Sequence, residues 1–183
     1  MTVKEVVLAA ATAIGCRAEL EAYYNNGSLS GEWKAKRLLE CFNLIENELA
    51  LDYLPLYAEE KVSSGTGEIF YKDFTKDVVR IIGVTDASGE AKGYTLCADH
   101  LITTAGTSNI FYTYTPKAKK IDEESDFYLY VSPRLLAYGV VAEYYLTIGM
   151  TEEAAVWDKK YKDAIEALYR SKSDARIAAR RWV

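Results

Sequence analysis

Residues 132–150 of this chain are SPRLLAYGVVAEYYLTIGM, a stretch with clear signals for a helix and for both of its ends. Ser132 can cap the helix, and Pro133 suits the first turn because its missing N–H would have no partner there. Gly149 stands where a left-handed residue ends a helix. Gly139 and Ala142 are small enough to let a neighbouring helix approach. The pattern predicts a helix between Pro133 and Gly149 that packs closely against another helix.

A second helix is predicted directly after the first. Thr151 can cap it, and the acids at 152 and 153 complement its positive end. The apolar residues of TEEAAVWDKKYKDAIEALYR recur at helical spacing. Only residues 149–151 separate the two helices, so we expect an antiparallel hairpin.

Two further helices are predicted near the start of the chain. The first covers residues 2–24, where apolar residues recur on one side until NNG at 25–27. Within it, VVLAAATAIGC (6–16) also resembles a lipoprotein signal. The uncharged balance of MTVKE and the unbroken helical pattern favour an amphipathic helix. The second is capped by Ser30 and extends to about Tyr53, because Pro55 opposes helical geometry at the residue before it.

The middle of the chain is rich in β-branched and aromatic residues. Four stretches, 67–74, 77–86, 92–104 and 108–116, predict a small antiparallel sheet of about four strands. In the last of them, Ile110, Tyr112 and Tyr114 should face one side. The polar stretch 117–126 is expected to be a solvated loop. The fold class is therefore α+β. We expect a helical bundle from 1–60 and 132–171, a β insertion at 61–131 and a C-terminal arm at 172–183.

The composition restricts the function. The chain has 183 residues, a formal charge of −5 and 15 tyrosines against 5 phenylalanines. The acidic balance argues against general nucleic-acid binding, and no apolar run is long enough for a membrane span. Cys16, Cys41 and Cys97 are too scattered for a zinc site or a disulfide framework, which suggests a reduced cytosolic setting. Tyrosine suits surfaces that become buried on assembly.

No reaction centre is predicted. His100 follows Asp99, but neighbouring strand positions point to opposite faces, so the pair should not act together. The glycines of SSGTGE lack the lysine of a phosphate-binding loop, and no serine lies in a nucleophile elbow. Glu143 interrupts an apolar helix, and we expect it to pair with a basic residue at a helix or subunit contact. We predict no catalytic, metal-binding or cofactor-binding residues and no enzyme activity.

The C-terminal residues differ in character from the acidic body. SKSDARIAARRWV has four basic residues and one acid. Arginine and tryptophan are enriched at interface hot spots. This composition favours a peptide arm that docks on another protein. The alternatives are an arm that folds back along its own chain and one that makes weak, nonspecific contact with DNA.

Three stretches carry a resemblance to a known family: ENELALDYLPL (46–56), NIFYTYTPKA (109–118) and, above all, residues 132–168. In their order and spacing they resemble the head–tail adaptor (connector) proteins of tailed bacteriophages, in particular the tail tubular protein A-like adaptors. The resemblance implies a structural virion protein at the head–tail junction, assembled in the host cytoplasm. It also implies a dodecameric ring between the portal and a downstream tail protein, with DNA only as passing cargo.

The same resemblance implies roles for particular residues. The portal-binding arm would consist of Arg176, Ile177, Arg180, Arg181 and Trp182. Subunit contacts would use Tyr138, Tyr144 and Tyr145, which circle their helix too widely to share one core. Two alternatives stay open at this stage. One is a monomeric module that binds a peptide or ligand through the β insertion, and the other is an enzyme that uses His100 and Asp99.

Overall fold

A computed structural model describes the backbone of residues 1–129 and 131–174, with side chains as far as residue 170. The protein is a mixed α and β structure with five α-helices and two small antiparallel sheets in this part of the chain. The chain divides into two compact units. The helical unit comprises Met1–Glu46 and the described part of Lys119–Val183, and the β unit comprises Asn47–Ala118.

The helices differ from the prediction mainly at the start of the chain. They are α1 (Val3–Ala13), α2 (Arg17–Asn26), α3 (Glu32–Glu48), α4 (Pro133–Thr147) and α5 (Thr151–Asp174). The prediction of one helix over 2–24 is wrong, because the chain turns at Gly15, where φ is +75°. The amides of Gly15 and Cys16 donate back to the carbonyls of Thr12 and Ala11 and close α1. A 3₁₀ turn at Leu29–Gly31 precedes α3, so α3 begins two residues after Ser30.

Helix α4 has the ends that its sequence predicts. The Ser132 hydroxyl oxygen accepts a hydrogen bond from the Leu135 amide at 3.2 Å, and Gly149 has a φ of +79°. Gly139 faces other helices closely. A Cβ atom on Gly139 would lie 2.7 Å from Cγ2 of Ile45 in α3 and 3.1 Å from Cε2 of Tyr161 in α5. The absent side chain therefore sets how closely these three helices pack.

The polar stretch before α4 contacts the start of α1. The carbonyls of Glu123 and Ile121 accept from the amides of Val3 and Lys4 at 3.0 and 3.1 Å, so they satisfy first-turn donors from outside the helix. Ser125 is buried, although most of residues 117–126 is exposed, so the expectation of a solvated loop is wrong for this part. These contacts explain why the helical unit resumes at residue 119, whereas the sequence suggested an insertion over 61–131.

The β unit has six strands where about four were predicted. They are β1 (Leu56–Ser64), β2 (Glu68–Phe70), β3 (Asp77–Thr85), β4 (Tyr94–Leu96), β5 (His100–Thr103) and β6 (Gly106–Thr115). The prediction of antiparallel pairing is confirmed, but the prediction of a single sheet is wrong. The strands form two three-stranded sheets, in the orders β1-β6-β3 and β2-β5-β4. The predicted strand over 92–104 is a hairpin, since the chain turns between β4 and β5.

Strand β6 supplies the centre of the β-unit core. Ile110 and Tyr112 are fully buried and Tyr114 packs against them, while Phe111 is partly exposed, as the alternation predicts. The Tyr112 hydroxyl donates to the Glu60 carboxylate, which also accepts from the Thr75 amide at 3.0 Å. Burial raises the pKa of Tyr112 to about 12, and the bond to Glu60 adds to the effect. The Tyr112–Glu60 bond is therefore a satisfied polar connection at the core.

Strand β3 lies at the edge of its sheet and is irregular. Its pairing with β6 shifts between Val78 and Arg80 and again between Ile81 and Gly83. Each shift leaves one extra residue, Val79 or Ile82, and each of these side chains is exposed. Such bulges bend a strand and increase its twist.

Candidate interaction surfaces

The predicted portal-binding residues, Arg176, Ile177, Arg180, Arg181 and Trp182, lie outside the described residues, and their role stays a prediction.

The three tyrosines predicted at subunit contacts differ in exposure. Tyr144 is only 7% exposed, and its ring lies 6.4 Å from that of Trp33 and 5.9 Å from that of Tyr145. Tyr138 and Tyr145 are half-buried. Tyr144 is thus covered by its own chain, and the other two retain surface that a neighbour can cover. Their assignment to a subunit contact stays a prediction.

His100 and Asp99 are closer than the sequence suggested. Nδ1 of His100 lies 2.7 Å from Oδ1 of Asp99, so the expectation that the two side chains point apart is wrong. Asp99 belongs to the bend before β5, where strand alternation does not apply. The bond from His100 lowers the pKa of the Asp99 carboxyl. No other hydrogen bond of the His100 ring is formed within the described residues.

Glu143 does not form the predicted pair with a basic residue within the described part of the chain. It is half-buried in α4 near Cys41 of α3. Burial raises the pKa of Cys41 to about 12, and the charge of Glu143 contributes to the same shift. Cys41 is therefore held as an unreactive thiol.

The described residues contain neither a metal-binding cluster nor a helix that could span a membrane. No group of three or more histidine, cysteine, aspartate or glutamate side chains could hold a metal ion. No helix in the described ranges is long and apolar enough to cross a membrane.

A groove in the helical unit was not predicted from the sequence. Its volume is about 530 Å³, and it lies between α1, α4 and α5. Its lining is mostly apolar and consists of Ala9, Thr12, Ala13, Ser132, Pro133, Arg134, Ala137, Tyr138, Trp157 and Lys160. The only sequence signal was the alanines of α1 and α4 opposite a tryptophan, a pattern that equally indicates ordinary helix packing.

Two cations rest on aromatic rings in this groove. The Lys160 ammonium lies 3.8 Å from the centroid of the Trp157 ring, and the Arg134 guanidinium lies 5.4 Å from that of Tyr138. Nε of Arg134 also donates to the Tyr138 hydroxyl. The two rings are 5.7 Å apart. The four side chains thus form one cluster, in which each cation is positioned by a cation–π contact.

Large apolar side chains are exposed around the α4–α5 turn. Leu146 is 53% and Val156 is 57% exposed, and Ile148 and Met150 between them are also exposed. We call these four residues the turn patch. Apolar patches on a soluble chain mark contact surfaces when they are large and contiguous. The β unit exposes a second group, which consists of Tyr57, Val79, Ile82 and Phe111.

One ionisable side chain is buried at the end of α3. Glu46 is 1% exposed, and its Oε1 accepts from the Ser125 hydroxyl at 2.6 Å and from the Asp126 amide at 2.9 Å. Lys119 forms an ion pair with Asp126 at 2.8 Å nearby. Burial raises the pKa of Glu46, and this effect outweighs the two hydrogen bonds, which act to lower it.

Replacing Glu46 with glutamine should make stability less dependent on pH. Folding raises the pKa of this carboxyl, so its contribution to stability is complete at pH values below its pKa in the unfolded chain, which is 4.5. That contribution is lost as the pH rises through the higher pKa of the folded protein. Glutamine can accept the same two bonds without a charge. We expect Glu46→Gln to gain stability relative to the natural chain as pH rises above about 4.5. Urea unfolding at acidic and neutral pH measures this.

The control is Glu40→Gln on the exposed side of α3, where Glu40 pairs with Arg37 at 3.0 Å. Surface pairs contribute little, so this change should alter stability by less than about 1 kcal/mol at either pH. If the difference in unfolding free energy between Glu46→Gln and the natural chain is the same at both pH values, Glu46 is not a buried charge.

Comparison with known proteins gave no relatives: no family model and no curated protein matches the chain.

Proposed function

We propose that this chain is a structural protein of a tailed-phage particle, a ring-forming adaptor between the portal and the tail through which DNA passes. The proposal rests on the sequence resemblance described above and on one structural observation, the turn patch. In the single chain, the patch leaves large apolar side chains facing water on either side of a helix turn. Covering such a surface by association is favourable, because it removes apolar area from water.

A ring requires two different contact surfaces on each subunit, one for each neighbour. In this proposal, the turn patch belongs to one of them, and the half-buried Tyr145 contributes to the contacts between copies. The helices would act as a bundle with the β unit inserted, and twelve copies would close the ring. The arm at 172–183 would bind the portal, and a downstream tail protein would bind the opposite side. The acidic balance of the chain suits a channel that repels phosphate.

Native mass spectrometry and negative-stain imaging, with and without the portal, test the proposal. We expect closed rings for the natural chain and monomers for the double variant Leu146→Glu, Val156→Glu, because two buried charges oppose the contact. Ala167→Glu, at an exposed position of α5, should leave the rings intact. Removing residues 172–183 should abolish portal binding and retain ring formation. A natural chain that stays monomeric in both preparations would refute the proposal.

A second candidate function is a monomeric module that binds an extended peptide on the β unit. It is favoured by β4, an edge strand whose three residues are all exposed, with Ile102 of β5 exposed beside it. A peptide can add to such an edge as a further strand. The same mass measurement separates the two functions, because this module would remain a monomer at every concentration tested.

A further inference from the structure

We propose that the groove between α1, α4 and α5 is a docking site for an acidic peptide segment of another protein, one that carries a carboxylate beside an aliphatic side chain. This inference does not depend on ring formation, and nothing in the proposed adaptor role requires it.

The charge of the groove selects the partner. Lys160 and Arg134 are its two charged lining residues, and the lining includes no aspartate or glutamate. Neither cation forms an ion pair with a described residue. Elsewhere in the helical unit, lysine and arginine side chains repeatedly pair with acids, as Lys34 does with Glu19 at 2.7 Å. Two cations left without an acid, beside an apolar surface, complement a carboxylate from outside.

The cations are held in place before any ligand arrives. Trp157 lies under the Lys160 ammonium, and Tyr138 both stacks with and accepts a hydrogen bond from Arg134. A positioned side chain loses less conformational freedom on binding than a free one. Aromatic residues and arginine are also the residue types that dominate binding energy at interfaces.

The apolar surface of the groove leaves room for an incoming aliphatic side chain. Ala9, Ala13 and Ala137 present only methyl groups, so the space that larger residues would occupy is open. An aliphatic side chain such as leucine can enter and bury its surface against the two rings, at roughly 25 cal/mol per Å². The groove therefore fits a segment in which acidic and aliphatic residues alternate along one face.

The positive charge of the groove favours this partner over other possible occupants. The chain's own residues 171–183 have four basic residues and one acid, so they would be repelled. A nucleic acid in the groove would meet two lining cations on a chain of charge −5, which is too little for binding at physiological salt. An acidic amphipathic segment satisfies both the cations and the apolar surface.

Fluorescence anisotropy with a synthetic helical peptide of repeating glutamate, alanine and leucine tests the proposal on the full chain. We expect saturable binding, with at least about tenfold loss for Lys160→Glu, because the substitution replaces an attraction by a repulsion. Lys159→Glu is the matched control: it makes the same change on the preceding residue of α5, which does not line the groove. Ala13→Phe, at an exposed position, should weaken binding by filling the groove without altering charge.

Circular dichroism and thermal unfolding establish that each variant is folded. If Lys160→Glu and Lys159→Glu lose the same affinity for the peptide, the binding is general charge attraction and the proposal is overturned. Equal binding of a peptide in which lysine replaces glutamate, or unchanged binding to Ala13→Phe, would also overturn it. If the groove variants instead abolish self-association while the peptide fails to bind, the occupant is a second copy of this chain. Stronger binding of single-stranded DNA than of the acidic peptide would likewise reject the proposed partner.

Discussion

Replacing Gly67 with alanine should destabilise the β unit by about 3 kcal/mol or more. Gly67 has a φ of +86°, which side chains rarely adopt, and a Cβ there would collide with the backbone carbonyl oxygen of Thr103. Backbone cannot move aside as a flexible side chain can. The Gly67 carbonyl also accepts from the Thr103 amide at 2.9 Å, next to the β2–β5 ladder. Thermal unfolding, with amide hydrogen exchange at Thr103, measures the loss.

Gly65→Ala provides the control, two residues earlier. Gly65 has an ordinary φ, and a Cβ there would meet no atom within 4 Å. The change should leave stability within about 1 kcal/mol and could raise it slightly, because alanine restricts the unfolded chain. If both variants lose the same stability, the close approach of Gly67 to Thr103 does not determine the local structure.

Replacing Gly139 with leucine should destabilise the helical unit by about 3 kcal/mol or more. The first carbon alone would lie 2.7 Å from Ile45 and 3.1 Å from Tyr161, and both of these side chains are buried. A longer side chain has no room unless α4 moves away from α3 and α5. The better helix propensity of leucine, worth about 1 kcal/mol over glycine, offsets only part of the cost. Chemical unfolding with circular dichroism tests this.

The control for Gly139 is Ala167→Leu. Ala167 is exposed on α5, so a leucine there adds apolar surface to a helix without displacing a neighbour. We expect a change of less than about 0.5 kcal/mol. A Gly139→Leu variant as stable as this control would show that the helices can separate at no cost.

Local signals were sufficient to predict helices whose ends are encoded in adjacent residues. The cap of α4 by Ser132, its proline at the first turn and its end before Gly149 are all interactions within a few residues. The break after α1 was missed, because Gly15 lies between two segments that share one apolar pattern. A glycine inside a helical pattern is compatible with either outcome, so periodicity alone could not choose.

The failure to predict strand β1 and the burial of Ser125 has a different cause. In β1, the inward position of Glu60 weakens the apolar alternation, and the hydrogen bonds from the Tyr112 hydroxyl of β6 and from Thr75 explain why an acid belongs there. Glu46 and Ser125 are 79 positions apart, so the bond that buries Ser125 leaves no local pattern. Both errors come from polar groups whose partners are distant in sequence.

The groove shows the same limit for the candidate site. The sequence analysis predicted that tyrosines of α4 lie at subunit contacts, but no sequence signal indicated that Tyr138 meets Trp157 and two cations in one place. That cluster combines α4 with α5, and its open space depends on alanines of α1. Small residues at helical spacing predict close packing or an empty groove equally well. Only the relative positions of three helices distinguish the two.

The two bulges of β3 make this edge of the sheet a poor template for uncontrolled strand addition. A regular edge strand offers evenly spaced donors and acceptors, on which further strands can stack without limit, as in amyloid. The extra residues at Val79 and Ile82 interrupt that spacing twice within a short stretch. This edge can therefore display apolar side chains to a specific neighbour while it denies a straight template to a growing fibril.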